Sequence, residues 1–225
     1  MMAVVALFAF AACDNGNADI GDIIDNAPVI TFGEFGVFFD NRDGSIPVTI
    51  QDGSADSDVS SIVQADYQIF DSPAGGNEVA SGSLPSTGNG NLVESSVPVA
   101  GLVAGEYNLT VSTADSNGNA DSQTTTFTVF QGFNTIGIIG DATPGGWGGD
   151  TDMTDIGDGV YQVTLQLEAL FAKFRADDDW AVNWGAEDFP SGRGSQNGPN
   201  IPIAEAGTYK VTFDSKDSSY NFEKQ

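Results

Sequence analysis

From Ala27 onward the chain is written in short runs that alternate apolar and polar residues, each closed by a cluster of Gly, Pro, Asn, Asp or Ser. "APVITF", "FGVFF", "IPVTI", "VQADYQIF", "NLVESSVPV", "EYNLTVSTAD" and "QTTTFTVF" follow one another as far as Phe130. A side-chain period of two sends neighbours to opposite faces of a strand, so short alternating runs punctuated by turns predict a β-sandwich. In the sixth run Tyr107, Leu109 and Val111 take the core face, and Asn108, Thr110 and Ser112 the wet one. "DSNGN", at 115–119, supplies the turn into the last strand.

The pattern resumes at Asn134 with "TIGIIG", "VYQVTLQLE", "LFAKFRA", "WAVNW", "NIPIAEA", "TYKVTFDS" and "YNFEK". "DATPGGWGGD" and "GAEDFPSGRGSQNGP" interrupt it and read as loops. No segment there sustains a helical period, so this half is all-β as well. The expected fold class is therefore all-β, with two β-sandwich domains at residues 27–131 and 132–225 behind a short tether at 1–26. A chain of 225 residues can give each sandwich a core of its own. The halves show no internal repeat at fixed spacing and read as two different modules.

Composition removes several function classes. Thirty-two acidic against seven basic residues, a formal net charge of −25, would repel nucleic acid or an anionic membrane surface along most of the protein. The absence of histidine removes the usual general base and every Ser-His or Cys-His nucleophile system. Asp177, Asp178, Asp179, Glu187 and Asp188 supply carboxylates, but glycoside hydrolysis needs two of them flanking a deep cleft, for which a small sandwich has little room. A non-enzymatic protein without a cofactor is expected. "DNRDGS" (40–45), "DGSADSD" (52–58) and "DTD" (150–152) offer oxygen ligands of the kind calcium takes, without EF-hand spacing. Acidic β-turns explain them equally well, and a structural calcium stays open.

The single cysteine, Cys13, ends the apolar run "MMAVVALFAFAAC". That run is too short to span a bilayer, which takes ~20 apolar residues, and has the length of a signal-peptide core. "FAAC" resembles a bacterial lipobox, whose cysteine is lipidated after cleavage, with Phe10 where Leu is usual. No positively charged segment stands before the run, which has the form of a trimmed start. "DNGNADIGDIIDNAP" then reads as a polar tether and is similar to the surface-export signal of Bacteroidota lipoproteins.

Scarce cations and scarce indoles fall together. Six of the seven basic residues and all three tryptophans lie in the second half, and "FAKFRADDDWAVNWG", at 171–185, holds Lys173, Arg175, Trp180 and Trp184. Pyranose rings offer apolar C–H faces that stack on indole and rims of hydroxyls that bond cations and amides. Lys173, Arg175, Asn183, Trp180 and Trp184, with Trp147 held by glycines in "TPGGWGGD", could supply both. Within a strand Lys173 and Arg175 share one face, with Phe174 on the other, toward the core. Trp184, at a strand end, is the preferred platform, whereas Trp180 fits a core position as well as an exposed one, and its truncation is expected to destabilise the domain. Lys173 and Arg175 serve equally as partners of acidic neighbours.

Two further resemblances follow from these segments. "GEYNLTVSTADSNGNADSQTTTFTV" resembles the closing hairpin of bacterial immunoglobulin-like and PKD-like domains. "IGIIGDATPGGWGGDTDMT", "DGVYQVTLQLEALFAKFRADDDWAVNWG" and "NIPIAEAGTYKVTFDSKDSSYNF" resemble the C-terminal carbohydrate-binding module of the SusE/SusF family of surface lipoproteins. Lipobox, tether, immunoglobulin-like domain and module stand in that family's order, with one module where its well-known members have two or three. The resemblance implies a lipid-anchored protein exposed at the outer membrane that captures starch or another α-glucan for an outer-membrane glycan transporter complex. The competing expectation is a structural or adhesive surface protein whose aromatics are core.

Overall fold

The structure, a computed structural model, describes residues 26–53, 60–85 and 90–225. Among these residues there are strands and no helix. Cys13 and most of "DGSADSD" lie outside them.

The first half contains β1 (Val29–Phe32), β2 (Phe38–Phe39), β3 (Ser45–Gln51), β4 (Ile62–Phe70), β5 (Glu78–Ser83), β6 (Leu92–Pro98), β7 (Gly105–Asp115) and β8 (Ala120–Phe130). They form two sheets, β1-β3-β6 and β2-β8-β7-β4-β5. Ile46, Val48 and Ile50 of β3 face Leu109, Val111 and Phe127 across a continuous apolar core. β7 is buried at Tyr107, Leu109 and Val111, the residues assigned to the core by alternation. β5, "EVASGS", was not foreseen. Small and polar residues at the sheet edge leave it no apolar alternation to detect.

The second half contains β9 (Ile136–Gly140), β10 (Gly146–Asp152), β11 (Thr154–Gly157), β12 (Val160–Leu167), β13 (Phe171–Ala176), β14 (Asn183–Gly185), β15 (Ser191–Arg193), β16 (Ser195–Gln196), β17 (Ile201–Pro202), β18 (Gly207–Asp214) and β19 (Ser219–Lys224). One sheet runs β10-β9-β13-β14-β16, with β17 paired to β13; the other runs β11-β12-β18-β19-β15. Between them lies a second core, centred on Ile138, Phe174, Val211 and Phe213. Both interruptions expected as loops contain strand: "GWGGDTD" is the edge strand β10, and "SGR" and "SQ" are β15 and β16.

The two sandwiches close in the same way. Tyr107 Oη donates to the Val103 carbonyl at 2.7 Å, and Tyr209 Oη to the Glu205 carbonyl at 2.9 Å, each bond reaching back four residues. This is the tyrosine corner of antiparallel sandwiches, which pins the crossing loop onto the penultimate strand. The sequence carries it twice, as "AGEYNLTV" and "AGTYKVTF", a correspondence that a search for fixed-period repeats passes over.

Candidate functional site

The site is built on the outer face of the sheet containing β9, β13 and β14. Alternation on β13 sends Ala172, Phe174 and Ala176 into the core, so Lys173 and Arg175 point outward. β13 registers Phe174 with Trp184 of β14 and Arg175 with Asn183. Asn183 therefore shares the outer face with Arg175, and Trp184 shares the core face with Phe174.

This register corrects the expectation for Trp184. The residue is 7% exposed. Its ring meets Phe133 edge-on at 5.4 Å and lies 5.1 Å from Phe213. Trp180, whose truncation is expected to destabilise the domain as that of a core residue would, is instead 44% exposed. The two differ because residues 177–182 form a turn rather than the straight strand read from "WAVNW", so their spacing does not place them on one face. Asp177 and Asp178 both take left-handed backbone, with φ of 52° and 56°. The Asp177 carboxylate accepts the amides of Asn134 and Thr135, and that of Asp179 accepts the amide of Ala181. The acidic run thus shapes the turn that lifts Trp180 out of the sheet.

Trp147 reaches the same place from the other side. β10 pairs with β9 at Gly146↔Gly140 and again at Thr151↔Ile138, so the segment between bulges away from the ladder. The bulge carries Trp147, 39% exposed, to a ring-centroid distance of 6.1 Å from Trp180 with the planes tilted by 36°. It also turns Asp150 over Gly137, where an added Cβ would sit 2.7 Å from the Asp150 Cβ.

Arg175 joins these parts. Its Nε lies 2.7 Å from each Asp150 carboxylate oxygen, and its guanidinium carbon lies 4.9 Å from the Trp180 ring centroid. Cation–π contacts of this kind contribute about 0.5–2 kcal/mol. Burial, reinforced by nearby Asp178, pushes the Asp150 carboxyl above the usual aspartate range despite the opposing pull of Arg175. A buried pair whose desolvation outweighs its attraction is a weak stabiliser, and its effect here is to orient the guanidinium under the indole.

Lys173 and Asn183, expected to bond sugar hydroxyls, are engaged elsewhere. Lys173 is buried, its Nζ donates to the Gly198 carbonyl at 2.7 Å, and burial lowers its pKa. Asn183 Nδ2 donates to the Trp180 carbonyl and to Asn197 Oδ1, both at 2.9 Å. These two residues fasten the 195–198 segment and the base of the Trp180 turn. Open to a ligand are Trp147 and Trp180; Arg175, expected to bond sugar hydroxyls, is buried with Asp150, their side chains 10% and 1% exposed. Sequence reasoning missed Asp150 as the partner of Arg175, because only the β10 bulge brings it across.

Of the acidic segments considered for calcium, Asp40 accepts the Gly132 amide and Asp150 is taken by Arg175. Among the described residues no three carboxylates gather around a point where a cation could sit. No family model, curated protein or solved structure matches the chain.

Proposed function

We propose that the second sandwich binds a neutral polysaccharide without transforming it, and that Trp147 and Trp180 are its stacking surface. The observation carrying this reading is the pair of adjacent, partly exposed indoles, one of them held from beneath by an ion-paired guanidinium. Large aromatics placed together at the surface lose the benefit of burial unless a ligand covers them. The surrounding acidity disfavours uronates and sulfated chains, leaving uncharged sugars. Two rings tilted by 36° suit a chain whose consecutive residues present their apolar faces at different angles, as a coiled α-glucan does; a flat β-1,4 chain fits parallel rings. The ligand class proposed is therefore starch or a related α-glucan.

In the same proposal Cys13 is a lipidation site, the first sandwich is a spacer, and the protein stands on the outer membrane as a capture module for a glycan transporter complex. This part rests on the sequence resemblances. Palmitate labelling of the full chain expressed behind a basic leader tests the anchor: the chain with Cys13 should label and Cys13→Ala should not. Equal labelling would remove the anchor from the account.

Native electrophoresis through gels containing α-glucans, β-glucans, xylans or mannans tests the ligand class. Amylopectin should retard the protein and the other polymers should not. Retardation by β-glucan alone would contradict the reading from ring tilt, and free migration in every gel would contradict glycan binding.

A further inference from the structure

We infer that Asn197 is a positioning residue for the proposed stacking surface, setting through Asn183 the angle at which Trp180 meets Trp147. The consequence for binding rests on the glycan reading of that surface, and the tilt itself does not.

Trp180 stands on a turn, and a turn fixes an indole only as well as its backbone is held. Its carbonyl accepts from Asn183 Nδ2 at 2.9 Å, and the same nitrogen donates to Asn197 Oδ1 at 2.9 Å. A carbonyl can only accept, so the Asn183 amide has one usable orientation, and its second proton needs an acceptor of its own. Asn197 supplies it. Through this bridge the backbone of Trp180 is tied to a segment well beyond it in the chain.

Asn197 is itself pinned on both sides. Before it, Gln196 pairs with Trp184 at the end of the β14–β16 ladder, and its side chain donates to the Ala181 carbonyl at 3.4 Å. After it, the Gly198 carbonyl accepts from the Lys173 ammonium at 2.7 Å. A Cβ on Gly185 would collide with the Pro199 carbonyl, and one on Gly198 with the Gly185 carbonyl, so these glycines let the segment lie directly on β14. The Asn197 amide then donates to the Asn183 carbonyl at 3.0 Å from a left-handed backbone with φ of 57°. Asparagine is one of the few residues besides glycine that tolerates this conformation, and unlike glycine it carries an acceptor. Asn197 is exposed, so removing its side chain removes the bridge and no part of the core. Arg175 supports the face of the Trp180 ring at 4.9 Å, and the bridge fixes the backbone from which that ring leans toward Trp147, 6.1 Å away.

Circular dichroism of the full chain tests the inference, because two close indoles couple their transitions and give paired bands of opposite sign whose size follows distance and tilt. Wild type should show this couplet with no sugar present, and Trp147→Ala should abolish it. Asn197→Gly keeps the left-handed backbone and loses the bridge. Its couplet should shrink, the competent turn and with it amylopectin affinity should fall about fivefold, as loss of one net hydrogen bond implies, and Tm should move little. Asn197→Asp retains an acceptor for Asn183 and should keep both couplet and affinity. A wild type without a couplet, an unchanged couplet in Asn197→Gly, or a loss that Asn197→Asp shares overturns the inference. A wild type that shows the couplet, loses it in Asn197→Gly and binds no glucan contradicts the proposed function and leaves the positioning of Trp180 standing.

Discussion

A tryptophan left partly in water forgoes part of the roughly 1.5–3 kcal/mol that burying a large apolar side chain contributes. Trp147 and Trp180 are both in this state and Trp184 is not, so the three indoles should respond differently to truncation. Trp184→Ala empties a core position beside Phe133 and Phe213 and should lower stability by about 3–5 kcal/mol in denaturant titrations. Trp180→Ala should move the unfolding midpoint little and lower glycan affinity at least tenfold; the opposite pairing of effects would restore Trp184 as the platform. Asp150 gives a second prediction. Its carboxyl is raised above the usual range, so the folded state holds the proton more tightly than the unfolded chain. The resulting stability is present below the ordinary carboxylate pKa and is lost as pH rises through the raised one. The Tm of wild type relative to Asp150→Asn should therefore climb as pH falls from neutrality to about 4, and a flat difference would mean that Asp150 titrates normally. Parity alone made the outward Lys173 and Arg175 and the inward Phe174 legible in the sequence. The role of Trp180 was not, because it depends on a turn of consecutive left-handed aspartates that alternation cannot register.

At the scale of elements, the site exists because β10 departs from regular pairing. Gly137 supplies the room into which the bulge folds Asp150, and a methyl group at that position would press on Asp150 Cβ at 2.7 Å and Oδ2 at 2.9 Å. Gly137→Ala should displace the carboxylate, release Arg175 and cost about 1–3 kcal/mol, the range for overpacking, with glycan affinity falling alongside. Gly148→Ala, on the bulge itself, meets nothing nearer than 3.6 Å and should change neither quantity. Equal behaviour of the two variants in thermal melts and gel retardation would count against the bulge as the organising element. Strands with clean alternation, β3 and β7 among them, could be read directly from the sequence. β5, β10 and β11 could not, because "EVASGS", "GWGGDTD" and "TDIG" are edge segments of small and acidic residues with no buried face to impose a period. The paired tyrosine corners were legible in principle, since "AGEYNLTV" and "AGTYKVTF" keep the same order of residue types.

At the scale of the molecule, two cores stand on either side of a junction where Arg42 bonds Asp155 at 2.6 Å and stacks on Phe39. Both members of that ion pair are about a third exposed, so the link contributes roughly 0–1 kcal/mol. Residues 132–225 should then fold without the first sandwich and keep the binding activity. Because the proposed ligand is uncharged, affinity should hold between about 0.05 and 0.5 M salt even though the protein carries a net charge of −25. A steep fall with salt would point to a charged ligand instead. The most direct measurement is a binding isotherm of residues 132–225 on granular starch, run for wild type and for the Trp147→Ala/Trp180→Ala double variant, with a thermal melt of each. Saturable binding by wild type and none by an equally stable double variant is the predicted result; undiminished binding by the double variant, or no binding by the folded wild type, would contradict the account.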